Sequence, residues 1–242
     1  MPPDIKMSVV IPAFEEAGNI GALLAEVLAA VPADLLGEVI VVDDRSSDGT
    51  ADEVRAAMAA DCRVRLLCHA RNAGQSAAVR SGVLAARFPV IGTLDGDGQN
   101  DPADLAGLAA RFDPAGPQLV GGVRAARADS ASKRLASRAA NRIRRWYLGD
   151  DCPDTGCGIK VFDRETYLNL PFFHGQHRYL PALFQAQGKT AAYAPVNDRV
   201  RAHGLSKYTN WRRALDGWSD LRGVAWLIRR SRNTPVEEVR RG

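Results

Sequence analysis

Two aspartates one residue apart, Asp95 and Asp97, follow an apolar run at positions 90–94. The residues after them are rich in Gly, Asn and Pro, which favour a turn. A buried strand that ends in this way presents acidic side chains at its carboxyl edge, where open α/β sheets bind ligands. Two hard oxygen donors at this spacing suit a divalent cation that also takes phosphate oxygens and waters. The pattern therefore predicts a metal site that holds a nucleotide diphosphate, with Gln99 as a hydrogen-bonding neighbour.

Acidic or polar residues also end two earlier predicted strands, at 12–16 and at Asp43 and Asp44. In a parallel sheet all three strand ends lie at the same edge, so we expect these groups to converge. Asp and Gly at a single strand end often do no more than form a turn. Three such ends in one chain favour a shared binding site over three independent turns.

The elements that must position these groups alternate between strands and helices. Strands are predicted at 8–11, 38–44, 64–67, 90–94 and 119–121. Helices are predicted from apolar spacing at 15–30, 51–60, 72–87 and 101–112. The first strand is expected to end at Pro12. This alternation indicates βαβ units and a parallel sheet.

The alternation stops after Gly122. The later elements are predicted as a long basic helix at 125–147, a loop and strand within 151–162, a helix at 179–187, a strand at 190–194 and a final helix at 211–230. No linker separates two full domains. We expect one domain at 1–208, followed by a basic helical region at 209–242.

The 242-residue chain has a net charge of +4 that is unevenly spread. From position 199 onward there are eleven basic and four acidic residues, so this end carries +7. A basic end suggests an anionic surface or substrate. A second basic segment, at 124–145, lacks interleaved aromatic residues, so nucleic-acid binding is not expected.

The sequence offers no targeting or membrane-spanning segment. Its start lacks a basic and apolar leader, and the apolar run at 224–228 is far shorter than the about 20 residues that span a bilayer. The four cysteines form no C-x-x-C or metal-ligand pattern and are expected to be reduced thiols. We expect a cytoplasmic protein that is peripheral on the cytoplasmic face of the membrane.

The final predicted helix carries an apolar stripe flanked by arginines. The stripe consists of Trp211, Ala214, Leu215, Trp218, Leu221, Ala225 and Ile228. Apolar and aromatic surface beside arginine is typical of a helix that lies on anionic lipid. We therefore expect this helix to contact the membrane surface, with core packing or a homo-oligomer contact as alternatives.

Six motifs resemble, in their order and spacing, those of the family-2 inverting glycosyltransferases with the GT-A fold. They lie at 9–16, 41–50, 71–74, 95–99, 154–160 and 201–208. The nearest subgroup that they resemble is the polyprenyl-phosphate sugar synthases, typified by dolichyl-phosphate mannose and glucose synthases. The resemblance implies a Rossmann-like, mostly parallel sheet flanked by helices. It also implies transfer of one sugar from a nucleotide-sugar donor to a polyprenyl phosphate of the undecaprenyl or dolichyl type.

The resemblance further implies which residues bind each substrate. Those implied to hold the donor are Pro12, Phe14, Glu16, Val41 and Asp43. Those implied to bind Mg²⁺ or Mn²⁺ and the diphosphate are Asp95, Asp97 and Gln99. The residues implied to close over the donor phosphates are Arg201 and Lys207, on a loop that Gly204 allows to move. Those implied to bind the acceptor phosphate are Arg124, Arg134 and Ser137.

A phosphate acceptor makes a dedicated catalytic base unnecessary. The second pKa of a phosphate monoester is near 6, so the nucleophile is largely dianionic at neutral pH. The protein must instead stabilise the leaving nucleoside diphosphate and hold two anionic reactants together, which a divalent cation and arginines do. Two alternatives remain open: transfer to a hydroxyl of a lipid or glycan, which requires a carboxylate base, and a non-catalytic nucleotide-sugar-binding protein.

Overall fold

The computed structural model describes residues 6–124, 142–199 and 210–231, without the side chains of 210–218. The strands are β1 (Met7–Ala13), β2 (Leu36–Asp43), β3 (Val64–Cys68), β4 (Val90–Thr93), β5 (Pro117–Arg124), β6 (Lys160–Asp163) and β7 (Thr190–Val196). The helices are α1 (Ile20–Ala30), α2 (Thr50–Ala60), α3 (Gln75–Ala85), α4 (Asp104–Ala109), α5 (described at 142–148), α6 (Arg164–Leu168), α7 (Leu180–Ala186) and α8 (Asn210–Arg230). A 3₁₀ turn at Gln176–Arg178 precedes α7.

The strands of the described residues form one sheet in the order β3-β2-β1-β4-β6-β5-β7. Only β6 runs antiparallel to its neighbours β4 and β5, so the predicted mostly parallel sheet is confirmed. Ala13 pairs with Asp43, and Val10 pairs with Thr93. The ends of β1, β2 and β4 therefore meet at one edge, as the sequence predicts.

Helices cover both faces of the sheet, which is why the central strands are almost continuously apolar. Helices α1, α2 and α4 enclose one core, whose members include Ile20, Leu24, Val54, Leu105 and Phe112. Helices α3, α6, α7 and α8 enclose the other, whose members include Val79, Val83, Tyr167, Phe184 and Leu221. Two buried layers hold the strands that carry the acidic edge.

Pro12 does not end β1, contrary to the prediction, because β1 continues to Ala13. The carbonyl of Val10 accepts a hydrogen bond from the N–H of Leu94. Since alternate residues of a strand turn their main-chain groups to the same neighbour, Pro12 also faces the β4 side. Strand β4 has ended at that point, so the missing N–H of Pro12 removes no ladder hydrogen bond.

The prediction that a helix begins at Glu15 is also wrong, since α1 begins at Ile20. Glu15 has a φ of 54° and Gly18 a φ of 85°, and neither value occurs in an α-helix. Likewise α3 begins at Gln75 and not at position 72, because Gly74 has a φ of 85°. Strands β1 and β3 are therefore each followed by a loop with a residue at positive φ before the next helix begins.

Several predictions fall on residues outside the described part of the chain. They concern Arg134, Ser137, Arg201, Lys207 and the side chains of Trp211 and Trp218. The long helix predicted at 125–147 is described only as α5, while the final predicted helix is present as α8. Across the described residues, no helix combines the length and apolar character needed to cross a bilayer.

Candidate active site

Asp95 lies just beyond β4, at the edge where β1 and β2 also end. The side-chain amide of Gln75, at the start of α3, donates to Asp95 Oδ1 at 2.8 Å. The main-chain N–H of Asp95 donates to Asn100 Oδ1 at 3.1 Å. A cavity of about 170 Å³ opens beside this carboxylate. Residues that line the cavity include Pro12, Gln75, Gly158, Lys160 and His177.

The pKa of Asp95 is raised to about 6, chiefly because the carboxyl group loses hydration and secondly because Asp97 is negatively charged. The charges of Lys160 and Arg124 act in the opposite direction. A cation placed between the two aspartates relieves their repulsion and favours the ionised form of Asp95. The local electrostatics thus fit the binding of a cation.

The oxygen donors at this edge fit a Mg²⁺ or Mn²⁺ ion that is shared with a diphosphate. Asp97 Oδ1 accepts a hydrogen bond from the main-chain N–H of Gln99 at 3.1 Å, which keeps this side chain in the loop after β4. Among the residues that the structure describes, no three His, Cys, Asp or Glu side chains are grouped for metal binding. A cation held by Asp95 and Asp97 would take its other ligands from phosphate oxygens and water, as is usual for Mg²⁺.

The loop before β6 closes over Asp95. The hydroxyl of Thr93 donates to the carbonyl of Gly158 at 2.8 Å, and the buried ammonium of Lys160 donates to the carbonyl of Cys157. A Cβ at Gly158 would stand only 2.1 Å from Asp95 Oδ2. Asp95 can keep its position only if residue 158 is a glycine.

The loop after β1 is held by side chains of the loop after β2 and of the first turn of α2. Four successive main-chain N–H groups donate as follows: Glu15 to Ser46 at 2.9 Å, Glu16 to Thr50 at 2.8 Å, Ala17 to Asp48 at 3.2 Å and Gly18 to Glu53 at 2.6 Å. The motif at 41–50 therefore shapes the motif at 9–16.

Two non-glycine residues at this edge have positive φ angles, Glu15 at 54° and Arg45 at 69°. They follow β1 and β2 respectively. This backbone region is disfavoured for residues with a Cβ, and it persists where surrounding contacts impose it, often at functional sites. Both lie in loops that flank the acidic edge.

Asp44 organises the loop before α3. It accepts hydrogen bonds from the main-chain N–H groups of Ala73 at 2.8 Å and Gly74 at 2.7 Å. Its Oδ1 also lies 2.7 Å from Nδ1 of His69. This carboxylate is thus occupied by the motif at 71–74, and it places Gln75 at the edge.

The five residues implied to hold the donor are divided between the edge and the core. Pro12 lines the cavity, and Phe14 is half-buried in the loop that follows. Glu16 lies in the same loop, while Asp43 is buried at the end of β2. Val41 belongs to the hydrophobic core with no exposed surface. Its side chain is therefore not at the edge.

Arg124, at the end of β5, forms a bidentate ion pair with Asp154. The distances are 2.8 Å from Nε to Oδ2 and 2.9 Å from Nη2 to Oδ1. The charge of Arg124 lowers the pKa of Asp95, so the guanidinium lies within electrostatic range of the aspartate pair. A phosphate bound at Arg124 would use the guanidinium N–H groups that do not donate to Asp154.

The chain that leads to the predicted phosphate loop is fixed beside Gln99. The main-chain N–H of Arg199 donates to the Gln99 carbonyl at 2.9 Å, and the Gln99 side chain donates to the Arg199 carbonyl at 3.3 Å. The Arg199 guanidinium pairs with Asp101 at 2.8 Å. Because Arg199 is the last described residue before Arg201 and Lys207, their segment begins next to Gln99.

Three further residues line the cavity although they were not predicted as site residues from the sequence: Gln75, Lys160 and His177. Nδ1 of His177 lies 2.6 Å from the hydroxyl of Ser76, and burial lowers the pKa of this histidine to about 3. The three come from α3, β6 and the 3₁₀ turn, which only the tertiary fold brings together. Lys160 alone leaves a signal, since a lysine within an otherwise apolar strand is unusual.

Comparison with known proteins shows the family. The family model described as Glycosyl transferase family 2 matches residues 8–193. The chain is 33% identical over 206 residues to the undecaprenyl-phosphate 4-deoxy-4-formamido-L-arabinose transferase of Shewanella sediminis, with 84% of this chain and 61% of that protein covered. It is 31% identical over 209 residues to the dodecaprenyl-phosphate galacturonate synthase of Rhizobium johnstonii, with 84% and 62% covered. The chain thus spans about six tenths of the length of these relatives.

Solved structures show the same fold. The UDP complex of glucosyl-3-phosphoglycerate synthase from Mycobacterium tuberculosis matches with a TM-score of 0.70 and 19% identity, covering 93% of this chain and 80% of the other. Mannosyl-3-phosphoglycerate synthase from Rubrobacter xylanophilus matches with a TM-score of 0.67 and 19% identity, covering 93% and 74%. These likenesses confirm the predicted GT-A fold. With the family match over most of the chain, they establish that this protein belongs to glycosyl transferase family 2.

Proposed function

We propose that this chain catalyses metal-dependent, inverting transfer of a single sugar from a nucleotide-sugar donor to a polyprenyl phosphate. The observation that carries the proposal is the shared edge of Asp95, Asp97 and Arg124, which follow or end strands β4 and β5 that run in the same direction. The aspartates suit a diphosphate bound through a cation, and the arginine suits a second phosphate. The names of two relatives, which specify undecaprenyl and dodecaprenyl phosphate, support a lipid phosphate as the acceptor.

On the donor side, Asp95 and Asp97 would hold Mg²⁺ or Mn²⁺, with Gln99 beside them. Complexes of the Mycobacterium tuberculosis neighbour with Mn²⁺ and UDP, and with Mg²⁺ and UDP, support this choice of cation. Such a cation, when bound, stabilises the negative charge of a departing nucleoside diphosphate as a Lewis acid. Arg201 and Lys207 are proposed to close over the same phosphates, from a segment that starts next to Gln99.

On the acceptor side, Arg124 would orient the phosphate for attack on the anomeric carbon. Its ion pair with Asp154 fixes the plane of the guanidinium, which a bidentate contact to phosphate requires. The phosphate dianion needs no proton removed, so the reaction proceeds without a dedicated base. Arg134 and Ser137 are proposed as further ligands of the acceptor phosphate.

The test is a screen of nucleotide sugars against undecaprenyl phosphate with Mn²⁺. Release of nucleoside diphosphate should match formation of the glycosyl lipid, measured by mass spectrometry. Asp97→Asn should lower transfer by at least about 100-fold, because metal binding supplies several kcal/mol of transition-state stabilisation. Asp52→Asn, at an exposed position on α2, is the matched control. Full transfer by Asp97→Asn would contradict the proposal.

Two further measurements separate the alternatives. Replacing the acceptor by undecaprenol tests transfer to a hydroxyl, and equal turnover with both lipids would overturn the assignment of the acceptor. Calorimetry with nucleotide sugars tests for a binding protein. Tight binding without release of nucleoside diphosphate, for every acceptor, would overturn the assignment as an enzyme.

A further inference from the structure

Two exposed tryptophans lie on two neighbouring helices. Trp146 on α5 is 83% exposed, and Trp226 on α8 is 62% exposed. The guanidinium of Arg229 on α8 lies 6.0 Å from the ring centre of Tyr147 on α5, so the two helices touch. Large apolar side chains that are exposed on two touching helices indicate an interaction surface.

The inner faces of both helices are already used by the fold. Tyr147 and Leu221 pack in the same hydrophobic cluster, and Arg144 is buried. On the outer side of α5, Ile143 is 52% exposed and lies three residues from Trp146, which places both on one face. Ile143 and Trp146 are therefore exposed even though the core-facing sides of both helices are already packed.

The charged residues on these two helical stretches are all arginines. Positions 142–148 and 221–230 contain six arginines and no acidic residue. One of them, Arg144, is buried in an ion pair with Asp150. The others are exposed: Arg142, Arg145, Arg222, Arg229 and Arg230. Arg230 lies 6.0 Å from the ring centre of Trp226. Exposed indoles beside arginines are typical of helices in the headgroup region of anionic membranes.

We infer that this surface, the two-helix face formed by Ile143, Trp146, Trp226 and the five exposed arginines, docks on an anionic lipid bilayer. The indoles enter the headgroup region while the arginines contact lipid phosphates. A second copy of the chain fits less well, because a two-fold contact through this face brings like charges together. The sequence alone predicts membrane contact only for the final helix. The surface inferred from the structure also includes α5.

The two-helix face is tied to the proposed acceptor side. Arg144, on the buried side of α5, pairs with Asp150, and Asp154 farther along the same loop pairs with Arg124. Eight residues separate Trp146 from Asp154, so the chain between them spans at most about 28 Å. The face that docks and the arginine proposed to bind the acceptor phosphate are therefore joined by one short loop. This last step rests on the proposed function.

The test is sedimentation of the full chain with vesicles of phosphatidylcholine, with and without phosphatidylglycerol. The wild type should bind the anionic vesicles, and salt should weaken this binding. The double variant Trp146→Ser/Trp226→Ser should bind them at least about tenfold more weakly. The matched control is Met58→Ser/Leu84→Ser, which removes apolar side chains that are 40% and 55% exposed on α2 and α3.

Three results would overturn the inference. They are equal binding of the wild type to neutral and anionic vesicles, unchanged binding by the tryptophan variant, and a wild-type dimer that this variant dissociates in sedimentation velocity. Circular dichroism checks that both double variants remain folded.

Activity separates this inference from the proposed function. Transfer to a water-soluble, short-chain prenyl phosphate should be unchanged in the tryptophan variant, while transfer to undecaprenyl phosphate in vesicles should fall about tenfold. An equal loss with both acceptors would contradict docking, since a soluble acceptor does not need the membrane. Vesicle binding by a wild type that transfers to neither acceptor would overturn the proposed function alone.

Discussion

The two sides of the edge that are proposed to bind the donor and the acceptor are held together in different ways. On the donor side, the main-chain N–H groups at 15–18 each donate to a different side chain of the loop after β2 or of the first turn of α2. On the acceptor side, two ion pairs connect the elements. Arg124 with Asp154 joins β5 to the loop before β6, and Arg144 with Asp150 joins α5 to the same loop.

Because of this difference, substitutions on the two sides should affect stability differently. A hydrogen bond to the main chain contributes about 1 kcal/mol, and the donor side distributes its stability over four of them. Such a loop tolerates the loss of one partner, and its redundancy holds Glu15 at a φ of 54°. In a buried ion pair, by contrast, the loss of a single partner lowers stability strongly, because the remaining charge stays buried without compensation.

The largest effect on activity is expected where the two sides meet, at Gly158. In Gly158→Ala the new Cβ would stand 2.1 Å from Asp95 Oδ2, so the carboxylate must move. A displacement of about 1 Å in a catalytic group lowers rates by about 100-fold. We expect a loss of this size in kcat/KM, with a change in the free energy of unfolding below about 1 kcal/mol because a flexible side chain can yield.

Gly107→Ala is the matched control, since a Cβ on this α4 residue meets no atom within 4 Å. It should retain wild-type kcat/KM and gain up to about 1 kcal/mol in the free energy of unfolding from helix propensity. Wild-type activity in Gly158→Ala would show that Asp95 does not need its observed position.

The largest effect on stability is expected at the acceptor-side ion pair of Arg144 and Asp150, whose side chains are 9% and 1% exposed. Asp150→Ala strands the guanidinium, so the free energy of unfolding should fall by about 3–5 kcal/mol in urea titrations. Asp52→Ala breaks the pair with Arg55, where the side chains are 81% and 59% exposed, and should change it by less than about 0.5 kcal/mol. Equal effects of the two variants would refute the contrast between the sides.

The sequence predicts the edge well because its determinants are local. Apolar runs define β1, β2 and β4, and the acidic residues that follow them must meet once the strands are parallel. The two turns with positive φ at Glu15 and Arg45 were not predicted, since apolar spacing carries no signal for them and the N–H of Glu15 is held by Ser46, 31 residues away. The apolar spacing at 15–30 therefore placed the start of α1 too early.

The remaining site depends on contacts that no spacing encodes. Asp44 resembles a ligand in sequence but is occupied by Ala73 and Gly74, about thirty residues away. Lys160 reaches the cavity because β6 inserts antiparallel between β4 and β5. His177 arrives from a 3₁₀ turn that has no sequence pattern of its own. Tertiary packing decides each of these positions.

A smaller effect is expected on the donor side, at the fully buried Thr50. Thr50→Val keeps the shape but removes the acceptor of the Glu16 N–H and the donor to Asp48. The free energy of unfolding should fall by about 1–2 kcal/mol and the KM for the donor should rise severalfold, because one of four supports is lost. Thr50→Ser retains the hydroxyl and should lie near the wild type in both measurements. A loss as large as that of Asp150→Ala would contradict the distributed support.

The smallest effect is a pH dependence at His177. Burial lowers its pKa to about 3 from a usual 6.5, and the charges of Arg178 and Lys160 act in the same direction. Between these values the unfolded chain binds a proton that the folded chain does not, so stability falls as pH drops below 6.5. Asp95, whose pKa is raised to about 6, takes up a proton in the folded chain in the same window and therefore opposes this loss. The contribution of His177 is thus the difference between the wild type and His177→Gln in urea titrations, and because the ring keeps some solvent contact we expect the wild type to lose on the order of 1 kcal/mol relative to the variant between pH 7 and pH 5. A wild-type slope in that variant would show that another group titrates.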